Sequence, residues 1–221
     1  MNKKISDLII EMFFTAFPIV VLSSVVTGFM GTMEMIYHIR DIIKDIALVP
    51  GVTGEFIFRE VGVVVPSLLF VAQIGASFTA ELASMKNTEQ LDALKILKIS
   101  TTKYYLFPRI IAVCVSNFLL CIIAVVVVIT SAAMYAVVFE GFTWGDYMER
   151  LRTNVTPIIL LMSFVKALIF GIICPLICAW IGILAHPTSR GVGIATTQSV
   201  VICTLLIIFA DLVINSFFSF M

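Results

Sequence analysis

The sequence predicts an all-α membrane protein with about five transmembrane helices, an N-terminal interfacial helix and a short cytoplasmic coupling helix. Of the 221 residues, 61% are hydrophobic and only 13% are charged, whereas soluble domains carry roughly 25% charged residues. The apolar residues form long charge-free runs without the polar–apolar alternation of a barrel strand. A soluble domain of this size could not bury so much apolar surface, so the surrounding solvent must be lipid. The net charge is zero, which gives no electrostatic basis for binding nucleic acid.

Five segments are predicted to cross the bilayer, because a transmembrane helix needs about 20 mainly apolar residues. These spans lie near residues 12–34, 61–84, 106–138, 156–184 and 194–218, within a single domain that covers residues 1–221. Before the first span, residues 3–13 place Lys3, Asp7 and Glu11 four residues apart, a spacing typical of an interfacial helix. The first apolar run is longer than a signal-peptide core and has no A-x-A-like cleavage site after it, so it is predicted to stay in the mature protein.

The distribution of lysine and arginine predicts the orientation of the chain in the membrane. With the N-terminus inside, eight of these residues lie near span ends on the inner side and five on the outer side. The inner set is Lys3, Lys4, Lys86, Lys95, Lys98, Lys103, Arg109 and Arg190, and the outer set is Arg40, Lys44, Arg59, Arg150 and Arg152. Because cytoplasmic loops carry an excess of these residues, the N-terminus and residues 85–104 are predicted to be cytoplasmic.

The sequence contains no catalytic or metal-binding motif. All five cysteines fall inside predicted spans, and Cys174 and Cys178, which share a helix face, have no histidine or carboxylate nearby to complete a metal site. No phosphate-binding loop and no Ser/His/Asp set occurs. The chain is therefore expected to need no cofactor and no metal, and not to be an enzyme.

Small and polar residues form regular rows along the second span. Two rows of small residues recur every four positions: Ala72, Ala76, Ala80 and Ser84, and beside them Gly75, Thr79 and Ala83. Such rows let helix backbones approach closely in lipid, which fits either a contact between two copies of the chain or packing within one copy. A polar row consists of Gln73, Ser77 and Glu81. The carboxylate of Glu81 is expected to need an N–H donor or a cation from the following loop, because a charge facing lipid is costly.

Residues 87–99 are predicted to form the short cytoplasmic helix. Asn87 can cap its first turn and Gln90 can reach back, in a variant of the capping box. Its apolar side chains are Leu91, Leu94, Leu97 and Ile99, and its charged ones are Glu89, Asp92, Lys95 and Lys98. Thirteen residues are too few to cross a bilayer, so this helix lies either in the groove of a partner or along the membrane as a connector.

Lys166 and Asp211 are the two charges placed most deeply in apolar sequence. At 1.5 Å per residue, Lys166 lies about 15 Å from the outer start of the fourth span, and Asp211 lies about 10 Å below the outer face. These depths agree within a helical turn, which predicts an ion pair between the fourth and fifth spans. The pair fits either a fixed structural register or a role in gating or substrate passage.

Two stretches of the sequence resemble a known family of membrane proteins. Residues 58–109, FREVGVVVPSLLFVAQIGASFTAELASMKNTEQLDALKILKISTTKYYLFPR, are similar to the signature region of the MlaE-type (YrbE-type) ABC transporter permeases. Residues 186–201, HPTSRGVGIATTQSVV, with Asp211 downstream, resemble the run before that family's last helix. With the proline–glycine pattern at Pro18–Gly28, the resemblance covers nearly the whole chain.

The resemblance implies a homodimeric permease of a lipid-trafficking ABC complex in the bacterial inner membrane. In such complexes, two permease chains contact a pair of cytoplasmic ATPases that bind the ATP, often together with a STAS-domain protein. On the other side they lie under a ring of MCE-domain proteins, and phospholipid occupies a cavity between the permease chains. The implied function is movement of phospholipid between the membrane and a periplasmic carrier. A permease for another lipid or sterol, or a membrane scaffold that transports nothing, is the alternative.

The resemblance also implies roles for individual residues. The residues expected to transmit closure of the ATPase are Glu89, Gln90, Leu91, Asp92, Leu94, Lys95 and Lys98, with Glu81 bracing the root of the helix. Two glutamines, Gln73 and Gln198, stand where the family usually has arginine.

Overall fold

Helices make up the architecture of the computed structural model, which describes residues 5–42, 46–97 and 100–219. No strand occurs in these three ranges. The α-helices in chain order are α1 (Ile5–Ile42), α2 (Val49–Phe56), α3 (Gly62–Phe70), α4 (Ala76–Asn87), α5 (Gln90–Ile96), α6 (Phe107–Glu140), α7 (Trp144–Asn154), α8 (Pro157–Leu184) and α9 (Ser189–Ser219).

Three π-helical segments interrupt the regular helices. Ile57–Val61 joins α2 to α3, Val71–Gly75 joins α3 to α4, and Thr102–Leu106 precedes α6. A short 3₁₀ turn, Ile46–Leu48, precedes α2. A π-helical turn contains an extra residue and shifts the backbone hydrogen bond from residue i+4 to i+5. The second span is therefore one continuous helical segment from Ile46 to Asn87 whose register changes twice.

Within the described ranges, five helical segments are long and apolar enough to cross a membrane. They are Ile5–Asp41, Ile46–Asn87, Tyr104–Glu140, Pro157–Leu184 and Ser189–Phe218. This finding confirms the prediction of an all-α membrane protein with five candidate spans. Large apolar side chains are exposed on the outer faces of these helices, as a lipid environment requires.

The N-terminal segment does not form a separate interfacial helix in the described residues. Ile5 to Phe13 are instead the first turns of α1, and Leu8 and Met12 are buried in the main core. The physical reason is that no glycine or proline occurs before Pro18, so nothing ends the helix there. Of the charges whose spacing predicts an interfacial segment, Asp7 and Glu11 lie on the exposed face of these turns, and Lys3 lies outside the described residues.

The bundle is built around α6 and α8. The most extensive contact joins α1 to α6, and further contacts join α6 to α8 and α8 to α9. The second span lies between them, since α3 packs on α6 and α4 packs on both α8 and α9. α1 and α6 approach very closely at Gly28, where an added Cβ atom would lie 2.0 Å from Ser131 Oγ.

The two ends of the bundle differ. At one end, here called the α5 end, α4 finishes, α6 begins, and Lys86 Nζ donates to the carbonyl of Ile183 in the last turn of α8, at 2.7 Å. At the opposite end, the α7 end, α7 packs on α2 around the buried Tyr147, and Arg150 donates to the carbonyl of Ala47 at 3.2 Å. Burial away from water raises the pKa of the Tyr147 phenol.

Candidate functional site

The short helix α5 follows a tight reversal of the chain. α4 continues to Asn87, Thr88 bonds back to the carbonyl of Ser84 through both its amide and its hydroxyl, and Glu89 has a φ of 58°. A non-glycine residue at positive φ is uncommon and marks the turn as a defined feature. The predicted capping by Asn87 is therefore wrong, because Asn87 is the last residue of α4. The described helix covers Gln90–Ile96 rather than residues 87–99, since helix continuity in α4 prevails over the local capping pattern.

The residues predicted to couple to an ATPase fall into three groups. Glu89, Gln90 and Asp92 are exposed. Leu91 is buried and Leu94 is half-buried, so these two hold α5 against the bundle. The side chain of Lys95 and all of Lys98 lie outside the described residues. The sequence pattern does not single out Ile96. This residue is 82% exposed and gives the end of α5 an apolar surface beside the acidic Glu89 and Asp92.

Below α5, Glu81 in α4 forms a two-pronged ion pair with Arg109 in the first turn of α6. Arg109 donates one hydrogen bond from each Nη to the two carboxylate oxygens of Glu81. Its guanidinium lies over the rings of Tyr105 and Phe78, with its central carbon 4.6 and 5.8 Å from the ring centres. Such bidentate, stacked pairs fix geometry as well as charge. Arg109 therefore ties the start of the third span to the end of the second.

Gln73 stands where the resemblance implies an arginine, and Glu81 nevertheless has a cationic partner. The Nε2 of Gln73 donates to the carbonyl of Thr15 in α1 at 3.0 Å, about two helical turns before Glu81. The cation that Glu81 needs comes from Arg109 instead. Gln198 lies in α9, beside α8, and lines a separate surface depression with His186.

A cluster of charged groups lies inside the bundle near the α7 end. Lys166 in α8 is fully buried, and its Nζ lies 2.5 Å from Asp211 Oδ1 of α9 and 3.8 Å from Glu60 Oε1. The same ammonium donates to the backbone carbonyl of Arg59. Asn215 Nδ2 donates to Asp211 Oδ2 at 3.0 Å and to Glu60 Oε1 at 2.5 Å. The structure thus brings Lys166 and Asp211 together and adds two residues that the sequence had not singled out.

The first π-helical segment explains why α8 can supply these contacts. Its change of register leaves backbone carbonyls without their usual donors inside the helix. Two carbonyls at this segment accept side-chain hydrogen bonds from α8: that of Phe58 from Ser163 Oγ, at 2.5 Å, and that of Arg59 from Lys166. Lys166 therefore pairs with carboxylates and also satisfies an irregular turn of backbone.

One of the two rows of small residues serves packing within the chain. Gly75, Thr79 and Ala83 are buried where α4 meets α8. A Cβ atom at Gly75 would lie 3.1 Å from Cys178 Sγ, and one at Gly182 would lie 2.8 Å from the Cβ of Leu82. In the other row Ala72 and Ser84 are exposed.

The cysteines of this region are packing groups. Cys178 Sγ lies 3.8 Å from Cys203 Sγ, and Cys203 also lies against the carbonyl of Cys174. Among the described residues no group of three or more histidine, cysteine or acidic side chains is arranged to hold a metal ion.

The helical bundle, its apolar outer faces and its buried charge cluster define a multi-pass membrane protein. Residues 5–217 match the family described as Permease MlaE. Because the match covers nearly all of the chain, the protein belongs to the MlaE permease family.

Individual relatives agree with this assignment. A probable ABC transporter permease protein of Rickettsia bellii is 32% identical over 160 residues, which are 72% of this chain and 62% of the relative. The intermembrane phospholipid transport system permease protein MlaE of Haemophilus influenzae is 30% identical over 161 residues, again 72% and 62% of the two chains. The chloroplastic protein TRIGALACTOSYLDIACYLGLYCEROL 1 of Arabidopsis thaliana is 31% identical over 169 residues, 76% of this chain and 48% of the relative. The matches to the two bacterial relatives thus span less than two thirds of each relative's length.

Proposed function

We propose that this chain is the membrane permease of an ABC transporter that moves phospholipid between the bacterial inner membrane and a periplasmic MCE-type carrier. A separate cytoplasmic ATPase supplies the energy, and two copies of the permease form the transmembrane unit. The observation that carries the proposal is the exposed helix α5, held at one end of a bundle whose family includes a phospholipid transport permease. The N-terminus and α5 then face the cytoplasm, with a STAS-domain protein as a further partner of the ATPase.

In this proposal α5 is the element on which the ATPase acts. Its exposed side chains Glu89, Gln90 and Asp92, with Lys95 and Lys98, contact the ATPase, while Leu91 and Leu94 anchor the helix to the bundle. Movement of α5 passes directly into α4, because only the two-residue turn Thr88–Glu89 separates them. Glu81 and Arg109 make the second and third spans move together at this end.

The buried cluster around Lys166 has the opposite role in this proposal. It holds α8, α9 and the first π-helical segment in a fixed register while the α5 end moves. The support for this role is that Lys166 is completely buried and has three oxygen atoms as partners, since separating these charges would leave an unpaired ammonium away from water.

The test is charge reversal at Asp92, followed by separate measurements of ATP hydrolysis and lipid transfer in reconstituted vesicles. Asp92→Lys is expected to leave ATP hydrolysis by the complex unchanged while lowering lipid transfer about tenfold or more. The reason is that a like-charge contact between α5 and the ATPase costs more than about 1.4 kcal/mol. Asp7→Lys is the matched control, since Asp7 is also an exposed acidic residue but lies on α1 rather than on α5, and it is not on the α7 end, where the carrier would dock. Unchanged transfer by Asp92→Lys contradicts the coupling role.

Two further measurements separate the alternatives. Lipids extracted from the purified complex and identified by mass spectrometry distinguish phospholipid from another lipid or a sterol. Purification in detergent without any ATPase partner would favour the scaffold, which needs no ATP-hydrolysing subunit.

A further inference from the structure

A cavity of about 340 Å³ with both polar and apolar lining lies between α1, the second span and the start of α6. Its polar lining consists of Glu11, Thr15, Gln73, Ser77, Glu81 and Arg109, and apolar side chains of α1 and α4 form the rest. The volume falls within the roughly 300–1,000 Å³ of small-molecule sites. The polar row of the second span therefore faces this cavity.

The cavity wall is rich in hydrogen-bond acceptors. Its lining includes the carboxylates of Glu11, which already interacts within the chain, and of Glu81, whose side chain remains 44% exposed despite its pairing with Arg109. Gln73 uses its Nε2 on Thr15, while its Oε1 receives no hydrogen bond from the described residues. Acceptors of this kind favour a ligand with a cationic N–H group.

One donor group is also available. Arg109 has five N–H donors, and its bonds to Glu81 use two of them. A phosphate can therefore approach the guanidinium while the carboxylate stays bound. The part of the row from Ser77 to Glu81, which Arg109 contacts, is about 6 Å long at 1.5 Å per residue, which is room for an ammonium beside the phosphate of one headgroup.

The depth of the cavity identifies the source of such a ligand. Glu81 lies six residues, or about 9 Å, before the end of α4, so the cavity opens at the level of lipid headgroups at the α5 end. The buried Leu8 and Phe78 in its wall offer apolar surface to the beginning of an acyl chain.

We propose that this cavity binds the ethanolamine headgroup of a phospholipid from the leaflet at the α5 end. The ammonium donates to Glu81 and to Ser77, and the phosphate lies beside Arg109. A choline headgroup has no N–H to donate, and a glycerol headgroup has no cation, so both bind less well. The inference goes beyond the proposed function, because the site can hold a lipid whether or not the chain transports one.

The test uses the purified full chain in phosphatidylcholine nanodiscs that contain a photoactivatable phosphatidylethanolamine. The expected result is labelling of peptides from the start of α1 and from α4, about tenfold above labelling by the phosphatidylglycerol with the same acyl chains. Equal labelling by the two lipids, or labelling confined to other helices, overturns the proposal.

A space-filling variant locates the site. Ser77→Leu is expected to lower this labelling about tenfold, whereas Ser216→Leu, which adds the same side chain at an exposed position of α9, leaves it unchanged. An equal loss in both variants contradicts the placement. Free phosphoethanolamine is added as a competitor in a separate arm. Competition as effective as that of the lipid would identify a soluble ligand and overturn the assignment to a membrane lipid. None of these readouts depends on ATP or on lipid transfer, so failure of the transport proposal leaves them interpretable.

Discussion

Among single residues, Lys166 is a fully buried charge whose effect on stability depends on its partners. Its ammonium is sealed from solvent and has Asp211, Glu60 and the Arg59 carbonyl as partners. An ion inside apolar surroundings is tolerated only when its partners remain in place. The cluster as a whole therefore adds little to the free energy of unfolding, but removing one of its members destabilises the protein strongly.

Removing the lysine alone should therefore destabilise the protein more than removing the lysine and its counter-ion together. Lys166→Met is expected to destabilise the protein by about 3–5 kcal/mol, because it leaves the buried carboxylate of Asp211 and the half-buried one of Glu60 without their cation. The double variant Lys166→Met/Asp211→Leu should be more stable than Lys166→Met, as measured by thermal unfolding in detergent. Arg152→Met, at an exposed position on α7, is the control and should change stability by less than about 1 kcal/mol. A double variant no more stable than either single one contradicts the importance of the pairing.

The sequence singles out only half of this cluster. Lys166 and Asp211 are conspicuous because each is alone in an apolar run. Glu60 is not, since Glu55 and Arg59 precede it and the stretch looks like a charged connection. In the structure this stretch is helical from Ile46 onward, which carries Glu60 into the bundle. Asn215 lies one helical turn after Asp211, and this four-residue spacing is the sequence feature from which its contact with Asp211 could be predicted.

Among the helical elements, the second span has features that sequence patterns do not predict. Length and apolar content predict that a helix crosses the membrane there, but they do not predict its two π-helical segments. The first of them, Ile57–Val61, has partners on another helix, Ser163 and Lys166 of α8, and such contacts are non-local. The sequence predicts the start of α5 too early, at Asn87, for a related reason. The capping pattern is local, whereas in the structure α4 continues through Asn87 and α5 begins at Gln90.

Close packing between α4 and α8 gives a test at this scale. Gly182→Ala is expected to destabilise the protein by about 1–3 kcal/mol, because the new methyl group would lie 2.8 Å from the Cβ of Leu82 and 3.2 Å from the carbonyl of Thr79. Gly193→Ala in α9 is the matched control, since nothing lies within 4 Å of its Cβ position. The control should be neutral or stabilising by up to about 1 kcal/mol, because alanine favours helix. Equal unfolding temperatures for the two variants in detergent would contradict tight packing at Gly182.

Considered as a whole molecule, the chain is a bundle of apolar helices with a mainly hydrophobic core and a few buried polar groups among the described residues. Long apolar runs determine this class of fold, which is why the sequence predicts five spans correctly. The fifth span is the least enclosed, with 11% of its most apolar window buried against 50% in the second and fourth spans. Its remaining surface faces lipid or another protein.

Orientation can be tested on intact cells. Positions Ser100 and Gly145 are exposed at opposite ends of the bundle, whereas Cys121, Cys174, Cys178 and Cys203 are buried and should react little. A membrane-impermeant maleimide is expected to label Gly145→Cys in spheroplasts, and Ser100→Cys only after the membrane is permeabilised, because lysine and arginine favour the cytoplasmic side. The unmodified chain is the control for reaction at Cys114, which is partly exposed. The reverse labelling pattern contradicts a cytoplasmic N-terminus.

The buried charges also bear on how the chain enters the membrane during synthesis. A lysine at the centre of an inserting helix costs roughly 2.5–3.5 kcal/mol. Glu60 and the Arg59 carbonyl belong to the second span, Lys166 to the fourth and Asp211 to the fifth, so the partners reach the bilayer in alternating order of charge. When Lys166 arrives, a carboxylate and a carbonyl are already there to receive it. When Asp211 arrives, the ammonium is already there. The order of residues along the chain thus lets each later charge enter the lipid beside its counter-ion.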